Sequence, residues 1–383
     1  MHNQNTQRGF VSILSVIFFT ILMSVLTISF LRIMTDEQSQ VVDDDLSKGA
    51  LASAESGVED AKRALAYCRS LSGSDRTNCY QALNNQNCPG MFDPSLAGNP
   101  LPTALGLDTS AGGGAVRVGS QSNNQRYTCV TTQLQTQDVV GQASESQAEL
   151  VPLRSSGNYS WITVYWHQEA TDGDAAVPTV GSDNQMNWRY SEWKNPISNQ
   201  RFIPVLRLQL IAFDSTKTLP QMEDSSVGMF LHPMTSAGRS VTSPLTVTGP
   251  ISTGSIADKR VEVQCNMSAL QSGYACALKI GVPANFANDN VDYYMLVKSI
   301  YGSPHYKIEL SNASGLVQFD DVQPRVDSTG AAGDVFRRVI SRVSYTPDSF
   351  MTTNALESGL SVCKDYLITG AGASSGSSCP LAP

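Results

Sequence analysis

Charged side chains, and basic ones above all, are scarce in this sequence. Of its 383 residues only 16 % are Asp, Glu, Lys or Arg, and 34 acidic against 26 basic residues give a formal net charge of −8. No dense run of Lys and Arg occurs. Since a basic patch is what meets the phosphate backbone, we expect no nucleic acid contact. The abundance of Ser, Thr, Asn, Gln and Gly suits an extracytoplasmic surface better than a cytosolic one.

Motifs of catalysis and of cofactor binding are also missing. We find no nucleophile elbow between a predicted strand and helix, no P-loop, no H-E-x-x-H and no dinucleotide-binding glycine motif. The cysteines form no C-x-x-C pair, and the four histidines are scattered, at His2, His167, His232 and His305. We therefore predict that the protein is not an enzyme and has no catalytic residue, no cofactor and no zinc site.

Two acidic clusters offer oxygen ligands of the kind that calcium prefers. They are Asp172-Gly173-Asp174 and the run from Asn288 to Asp292. Neither has the spacing of a calcium-binding loop that ends in Glu. Polar turns are the simpler interpretation, and we predict no metal.

The eight cysteines predict disulfide bonds. An even number in an exported chain is typical of up to four bridges. Short separations favour Cys265–Cys276 and Cys363–Cys379. Two further bridges then remain among Cys68, Cys79, Cys88 and Cys129, whose pairing stays open.

The N-terminus contains an uncharged apolar run from Phe10 to Leu31. A helix of about 22 residues is about 33 Å long, enough to cross a bilayer core of about 30 Å. Arg8 lies on the leader side with no acid before it, so positive-inside logic puts residues 1–9 in the cytoplasm. We predict a single-pass protein of the inner (cytoplasmic) membrane with its head extracytoplasmic.

The residues around this run resemble the class III leader of type IV prepilins and pseudopilins. Arg8-Gly9-Phe10 stands before the apolar run, whereas a secretory signal peptide has its cleavage site after it. The segment from Ala50 to Ala61, which contains A-E-S-G-V-E-D-A, is similar to a stretch common after the membrane segment of PilX-like minor pilins. The chain therefore resembles the type IV pilin-like proteins over about residues 7–68.

This resemblance implies processing and partners. A prepilin peptidase would cut after Gly9 and methylate the amine of Phe10, and an assembly platform would then pack the helix against other pilin subunits. Most major pilins have Glu at the fifth mature position, where this chain has Leu14. That difference implies a minor subunit at the filament tip, which acts in filament initiation, in surface adhesion through a surface ligand, or in both. The protein would move from the membrane to an extracellular pilus.

Two alternatives remain open from the residues alone. The apolar run is also compatible with an uncut signal anchor, which would make the chain an extracytoplasmic binding protein that does not polymerise; the Gly9-Phe10 junction favours the prepilin interpretation. A secreted hydrolase with a pilin-like leader would need a catalytic cluster that the sequence does not display.

An amphipathic helix continues the apolar run. Apolar residues recur at helical spacing along one stripe, at Leu51, Ala54, Val58, Ala61, Leu65 and Cys68. Glu59 and Arg63 are four residues apart and predict a helix-surface ion pair. Thr20, Ser24 and Thr27 share a face within the apolar run. Their hydroxyls either let helices approach closely or simply bond to the preceding turn.

The remainder predicts a β-rich head. Strand signals begin near residue 115; Trp161–Trp166 is aromatic and β-branched on both faces, and the segments from Tyr293 to Tyr345 suggest an antiparallel meander. The fold class is α+β: a long N-terminal helix, with a membrane half and an amphipathic half, packed on a large antiparallel β-rich globular head. The predicted boundaries are 1–9 for the leader, 10–32 for the transmembrane or filament-core helix, 33–72 for the amphipathic helix, 73–150 for an irregular disulfide-stapled segment with the first strands, 151–346 for the β-rich head and 347–383 for a C-terminal loop region.

Overall fold

The computed structural model describes residues 8–118, 124–177, 202–213, 218, 226–234, 245–246, 259–282 and 292–344. The chain divides into two compact units. Unit 1 comprises Met1–Thr136 and Phe319–Ser344, and unit 2 comprises Gln137–Gln318 and Tyr345–Pro383. The fold is α+β, as the sequence predicts, with one long N-terminal helix and extensive antiparallel sheet.

Four helices and fifteen strands are assigned in these described ranges. The helices are α1 (Arg8–Ser70), α2 (Gly73–Leu83), α3 (Leu101–Ala104) and α4 (Glu169–Asp172). The strands are β1 (Val116–Arg117), β2 (Arg126–Thr136), β3 (Asp138–Gln142), β4 (Glu149–Pro152), β5 (Trp161–Gln168), β6 (Val205–Phe213), β7 (Val227–Met234), β8 (Leu245–Thr246), β9 (Lys259–Gln264), β10 (Tyr274–Gly281), β11 (Asp292–Ile300), β12 (His305–Asn312), β13 (Gly315–Val317), β14 (Phe319–Ala332) and β15 (Val335–Arg342).

In unit 1, the C-terminal half of α1 packs on an antiparallel four-stranded sheet, in the order β1-β2-β14-β15. Small residues let helix and sheet approach closely. A Cβ added to Gly330 would lie 2.2 Å from the carbonyl oxygen of Ala50, and one added to Gly57 would lie 2.3 Å from Ser328 Oγ. Glycine at position 330 is therefore required by the short distance between the backbones of helix and sheet, and glycine at position 57 leaves room for the side chains of the sheet.

Two disulfides join the segment after α1 to the rest of unit 1. Cys68, at the end of α1, is bonded to Cys79 in α2, and Cys88 is bonded to Cys129 in β2. This arrangement resolves the pairing that the sequence left open. The Cys68–Cys79 bridge is part of the hydrophobic core of the unit, which also includes Leu65, Leu83, Met91, Phe92, Tyr127, Val130 and Val326. Cys88, in the other bridge, is exposed.

Unit 2 contains two further sheets. A six-stranded sheet has the order β13-β12-β5-β10-β8, with β3 also paired to β12, and a five-stranded sheet has the order β4-β11-β6-β7-β9. Within the described strands of unit 2, β7–β9 and β8–β10 are parallel and the other pairs are antiparallel. Cys265 is bonded to Cys276, whereas Cys363 and Cys379 lie outside the described residues.

Two predictions about the strands were wrong. The strands from 292 to 342 do not form one meander, because β11, β12 and β14 belong to three different sheets. Strand β5 was expected to be buried on both faces, but burial alternates over most of its length: Ile162, Val164 and Trp166 are buried, while the intervening residues are half-buried. β-Branched and aromatic residues are common on both faces of a half-buried strand, so composition alone did not reveal which face is less buried.

Candidate functional site: the exposed apolar helix

The N-terminal half of α1 is apolar around its whole circumference. Every large apolar side chain from Leu14 to Met34 is between 44 % and 66 % exposed, and the buried residues of the helix begin at Gly49. A helix that is hydrophobic on all sides is found in a membrane or in the core of an assembly. Burying one such side chain contributes about 1.5–3 kcal/mol, so this surface strongly favours an apolar environment.

The hydroxyl groups in this half are bonded within the helix. Thr20 Oγ1 and Ser24 Oγ donate to carbonyl oxygens three residues earlier, and Thr27 Oγ1 donates to one four residues earlier, each at 2.8 Å. Of the two interpretations left open, bonding to the preceding turn is the one observed. No polar partner outside the helix is needed, so these residues suit an apolar medium.

Helix α1 is continuous from Arg8 to Ser70. It begins within the predicted leader, at Arg8, and ends two residues before the predicted C-terminal end of the amphipathic helix at residue 72. Its segment Leu14–Ser70 is long and apolar enough near its start to span a membrane. Beyond the apolar part, the exposed acids Asp36, Glu37 and Asp43 to Asp45 mark the transition to the half that packs in unit 1.

The buried half presents a regular stripe to the sheet. Ala54, Val58, Ala61, Leu65 and Cys68 are buried as predicted. Leu51 is not; it is 42 % exposed, because Ala50 and Ser53 occupy the contact with the sheet instead.

The ion pairs on the exposed face also differ from the predicted one. Glu59 pairs with Lys62 and Arg63 pairs with Asp60, each three residues apart, so the predicted Glu59–Arg63 pair was wrong. Asp60 is three residues from Arg63 and Glu59 is four, and a helix allows an ion pair at either spacing. Arg63 pairs with Asp60.

Two polar contacts attach the helix to the sheet. Tyr127 Oη on β2 donates to Asp60 Oδ2 at 2.9 Å, and burial, followed by the nearby Asp60, raises the pKa of Tyr127. At the end of α1, Arg69 donates to both carboxylate oxygens of Asp321, at 2.6 Å and 3.0 Å. Tyr80 Oη donates to the same carboxylate at 2.7 Å; burial raises the pKa of Tyr80, and Asp321 adds to the effect. The C-terminal half of α1 is therefore held on the sheet of unit 1 by polar and charged contacts as well as by packing.

The predicted processing residues lie on this helix. Gly9 and Phe10 are in its first turn, residues 1–7 lie outside the described residues, and Leu14 is 56 % exposed. Gly9, Phe10 and Leu14 lie far along the helix from the contact between Arg69 and Asp321. That contact was not predicted from the sequence. No local signal could have revealed that pair, since its residues are 252 positions apart.

Of the two acidic clusters considered for calcium, the first uses the oxygens of Asp172 in hydrogen bonds within the protein, and most of the second lies outside the described residues. The carboxylate of Asp172 accepts hydrogen bonds from the backbone of Gln168 and of His305 and contacts the His305 ring. Residues 288–291 lie outside the described ranges. Among the residues that the structure describes, no group of three or more His, Cys, Asp or Glu is arranged to hold a metal ion.

Comparison with known proteins returns no family model, no curated protein and no solved structure that matches this chain. The structure itself defines the class: an α+β protein with disulfide bonds and one apolar N-terminal helix that is compatible with a membrane anchor.

Proposed function

We propose that this chain is a minor pilin subunit of a type IV pilus or a related filament. It is made as a prepilin, cut after Gly9 and methylated at Phe10, and it initiates the filament, adheres to a surface, or both, from a position at the tip. The observation that carries the proposal is the helix α1, whose exposed apolar half continues without a break into a half packed on a sheet.

The geometry supports this role because the two halves of α1 have different environments. The apolar half offers hydrophobic surface on every side, which allows contacts with lipid before assembly and with neighbouring helices after it. Because the hydroxyls of Thr20, Ser24 and Thr27 are satisfied internally, neither environment leaves them unpaired. The helix supplies the insertion surface, and extrusion would come from a separate ATPase and assembly platform.

Leu14 supports a tip position. By the resemblance, a carboxylate at this point would attract the N-terminal amine of a neighbouring subunit, and a charge in an apolar environment is costly and is kept for function. A subunit with Leu14 lacks that attraction, so it suits a place where it does not dock beneath another subunit.

The decisive experiment is mass spectrometry of the N-terminus of the protein from its native cell, with and without the prepilin peptidase. A chain that begins at Phe10, with a methylated amine, and that keeps residues 1–9 in the peptidase mutant, supports the proposal. A chain that keeps Met1 to Gly9 in both strains contradicts it. The better account would then be the signal-anchored extracytoplasmic binding protein that does not polymerise.

A further inference from the structure

Strand β15 exposes apolar side chains at the edge of the unit 1 sheet. Within the described sheet it has a partner strand on one side only. Phe336 and Ile340 are 56 % and 48 % exposed. Both lie on the face that points away from α1, because the next residue in the alternation, Arg337, donates to Ser47 of the helix. An edge strand with exposed apolar side chains is a surface on which another chain can pack.

Arginines alternate with these apolar residues on the same face. Arg338, Ile340 and Arg342, the basic stripe, follow one another at steps of about 6.6 Å. Arg338 is paired with Asp327 of β14, whereas Arg342 lies directly opposite Arg325 in the register of the two strands. Two like charges opposite each other on a sheet are destabilising. A carboxylate that approaches this face would relieve that repulsion, so the face favours an acidic partner.

An acidic surface that fits this face lies on α1, between the apolar run and the part packed in unit 1. The stretch from Asp36 to Asp45 contains five acids and no base, and its residues are exposed. Glu37, Val41 and Asp45, the acidic stripe, are four residues apart, so they lie along one side of the helix at steps of about 6 Å. Val41 is 68 % exposed. This part of the helix therefore presents an acid, an apolar side chain and a second acid in a row.

The two stripes are complementary in charge, order and spacing. When they are aligned, Ile340 meets Val41 and each arginine meets a carboxylate, because the steps of about 6.6 Å and about 6 Å are nearly equal. Pairing β15 with a second β15 would instead place arginine beside arginine. We propose that the basic stripe of one copy of this chain binds the acidic stripe on α1 of a second copy.

The positions of the two stripes along α1 define how the copies are offset. Gly57 of α1 approaches Ser328, which lies opposite Val339 in the register, and Ile340 is the next residue of β15. The basic stripe is therefore level with a part of α1 about 16 residues beyond Val41. At 1.5 Å per residue, the second copy must be displaced outward by about 24 Å along the helix axis.

This offset determines when the contact can form. Two copies anchored in one bilayer lie at the same depth and cannot make it. It requires that one copy has moved outward relative to the other, as assembly into a filament does, so the inference rests on the proposed function. The lower copy docks through β15 and not through Leu14, and two copies can therefore occupy the tip together.

The test is site-directed cross-linking in native cells that make two full-length versions of the chain. One version carries Val41→Cys and the other Ile340→Cys, and sheared filaments and membranes are treated with a short bismaleimide. We expect a cross-linked pair of chains in the strain with the prepilin peptidase and none in the strain without it, where all copies stay at one depth. Val41→Cys combined with Thr77→Cys, an exposed position on α2, is the control and should give no cross-link.

Charge reversal tests the recognition itself. Asp45→Lys in the first version should lower the yield of cross-link at least about threefold, and Arg342→Glu in the second should do the same. The two reversals together should restore the yield. Neither threatens the fold, since Asp45 is exposed on the helix and a glutamate at position 342 would face Arg325.

The outcomes separate this inference from the proposed function. Cleavage after Gly9 without a cross-link between positions 41 and 340 would overturn the inference alone. A yield that charge reversal does not change would do so too, as would cross-linking between two Ile340→Cys chains, which would indicate pairing of edge strands. Retention of residues 1–9 in both strains would overturn the proposed function and this inference with it.

Discussion

The guanidinium of Arg69 holds the carboxylate of Asp321 at two points, with the two side chains only 14 % and 5 % exposed. One comes from the last turn of α1 and the other from β14, so the contact ties the end of the long helix to the sheet of unit 1. Tyr80 donates a third hydrogen bond to the same carboxylate. Because all three groups belong to one unit, the strength of this contact can be measured by the stability of that unit.

Removing one partner of this pair should destabilise unit 1. Arg69→Met removes the guanidinium from the buried carboxylate of Asp321, and breaking a buried pair in this way costs about 3–5 kcal/mol. The measurement is urea unfolding of the detergent-solubilised protein followed by circular dichroism. Asp44→Asn, which breaks the exposed Lys48–Asp44 pair on the same helix, is the control and should have no measurable effect. Equal effects of the two substitutions would show that the buried contact is not structural.

Adding one methyl group at Gly330 should separate helix and sheet. The added Cβ of Gly330→Ala would meet the backbone of Ala50 and Ala54 at 2.2 Å, and backbone atoms cannot rotate away. Overpacking of this kind costs about 1–3 kcal/mol. Gly157→Ala, where the added Cβ meets nothing within 4 Å, is the control, and thermal unfolding measures both. A melting temperature of Gly330→Ala equal to that of the control would contradict the close approach.

The two disulfides of unit 1 should contribute unequally. Cys88–Cys129 spans 41 residues and Cys68–Cys79 spans 11. By loop-closure entropy alone, the longer loop stabilises by about 4 kcal/mol and the shorter by about 3 kcal/mol. We therefore expect the Cys88→Ala/Cys129→Ala double variant to unfold at lower urea concentration than Cys68→Ala/Cys79→Ala. The reverse order would mean that packing around the bridges outweighs the constraint on the unfolded chain.

Acid should weaken unit 2 through His167. Burial lowers the pKa of this side chain, against the opposing effects of Asp172, Asp174 and Glu169. The folded state therefore binds a proton less readily than the unfolded state. The contribution of His167 to stability is complete above its ordinary pKa of about 6.5 and is lost progressively as the pH falls below that value.

The variant His167→Asn tests this pH dependence, because Asn tolerates the positive φ of 63° at this position and does not titrate in this range. Amide hydrogen exchange in strand β5, measured between pH 7.5 and pH 5 and corrected for intrinsic rates, should show a smaller loss of protection in the variant than in the wild type. Identical pH slopes in the two proteins would assign the acid sensitivity to other groups.

Leu14 should limit where the subunit enters a filament, if the proposed function is correct. Leu14→Glu introduces a carboxylate at the fifth mature position, at a cost in the membrane of about 2.5–3.5 kcal/mol on insertion scales. We expect more copies of the variant per filament, counted by quantitative mass spectrometry of sheared pili. Leu14→Gln, which is polar but uncharged, is the control. A copy number that rises equally in both variants would point to polarity, and an unchanged one would remove Leu14 as the determinant of position.

Much of the helix could be predicted from the sequence because its signals are local. The apolar run and the stripe from Ala54 to Cys68 follow from residues within a few positions of one another. Leu51 was misplaced because its neighbours Ala50 and Ser53 fit closer to the sheet, a difference that depends on the partner surface. The positions of many strands could also be predicted from the alternation of apolar and polar residues, as in β6 with its buried Leu206, Leu208 and Leu210.

The pairing of those strands could not be predicted from the sequence. Alternation shows that a segment is extended and which face is apolar, but not which strand lies beside it. The chain runs from β11 to β12 to β14 and changes sheet at each step, which adjacent turn signals do not reveal.

By itself, the sequence determined the apolar helix and the α+β class, since each depends on composition or on short-range periodicity. Only the tertiary structure decided which cysteines of unit 1 are paired and that Arg69 meets Asp321. Those contacts join residues that are separated in the chain or turned toward one another by the backbone. Their proximity depends on how whole sheets pack, because a side chain's neighbours in a folded core are set by the shape of the complete unit.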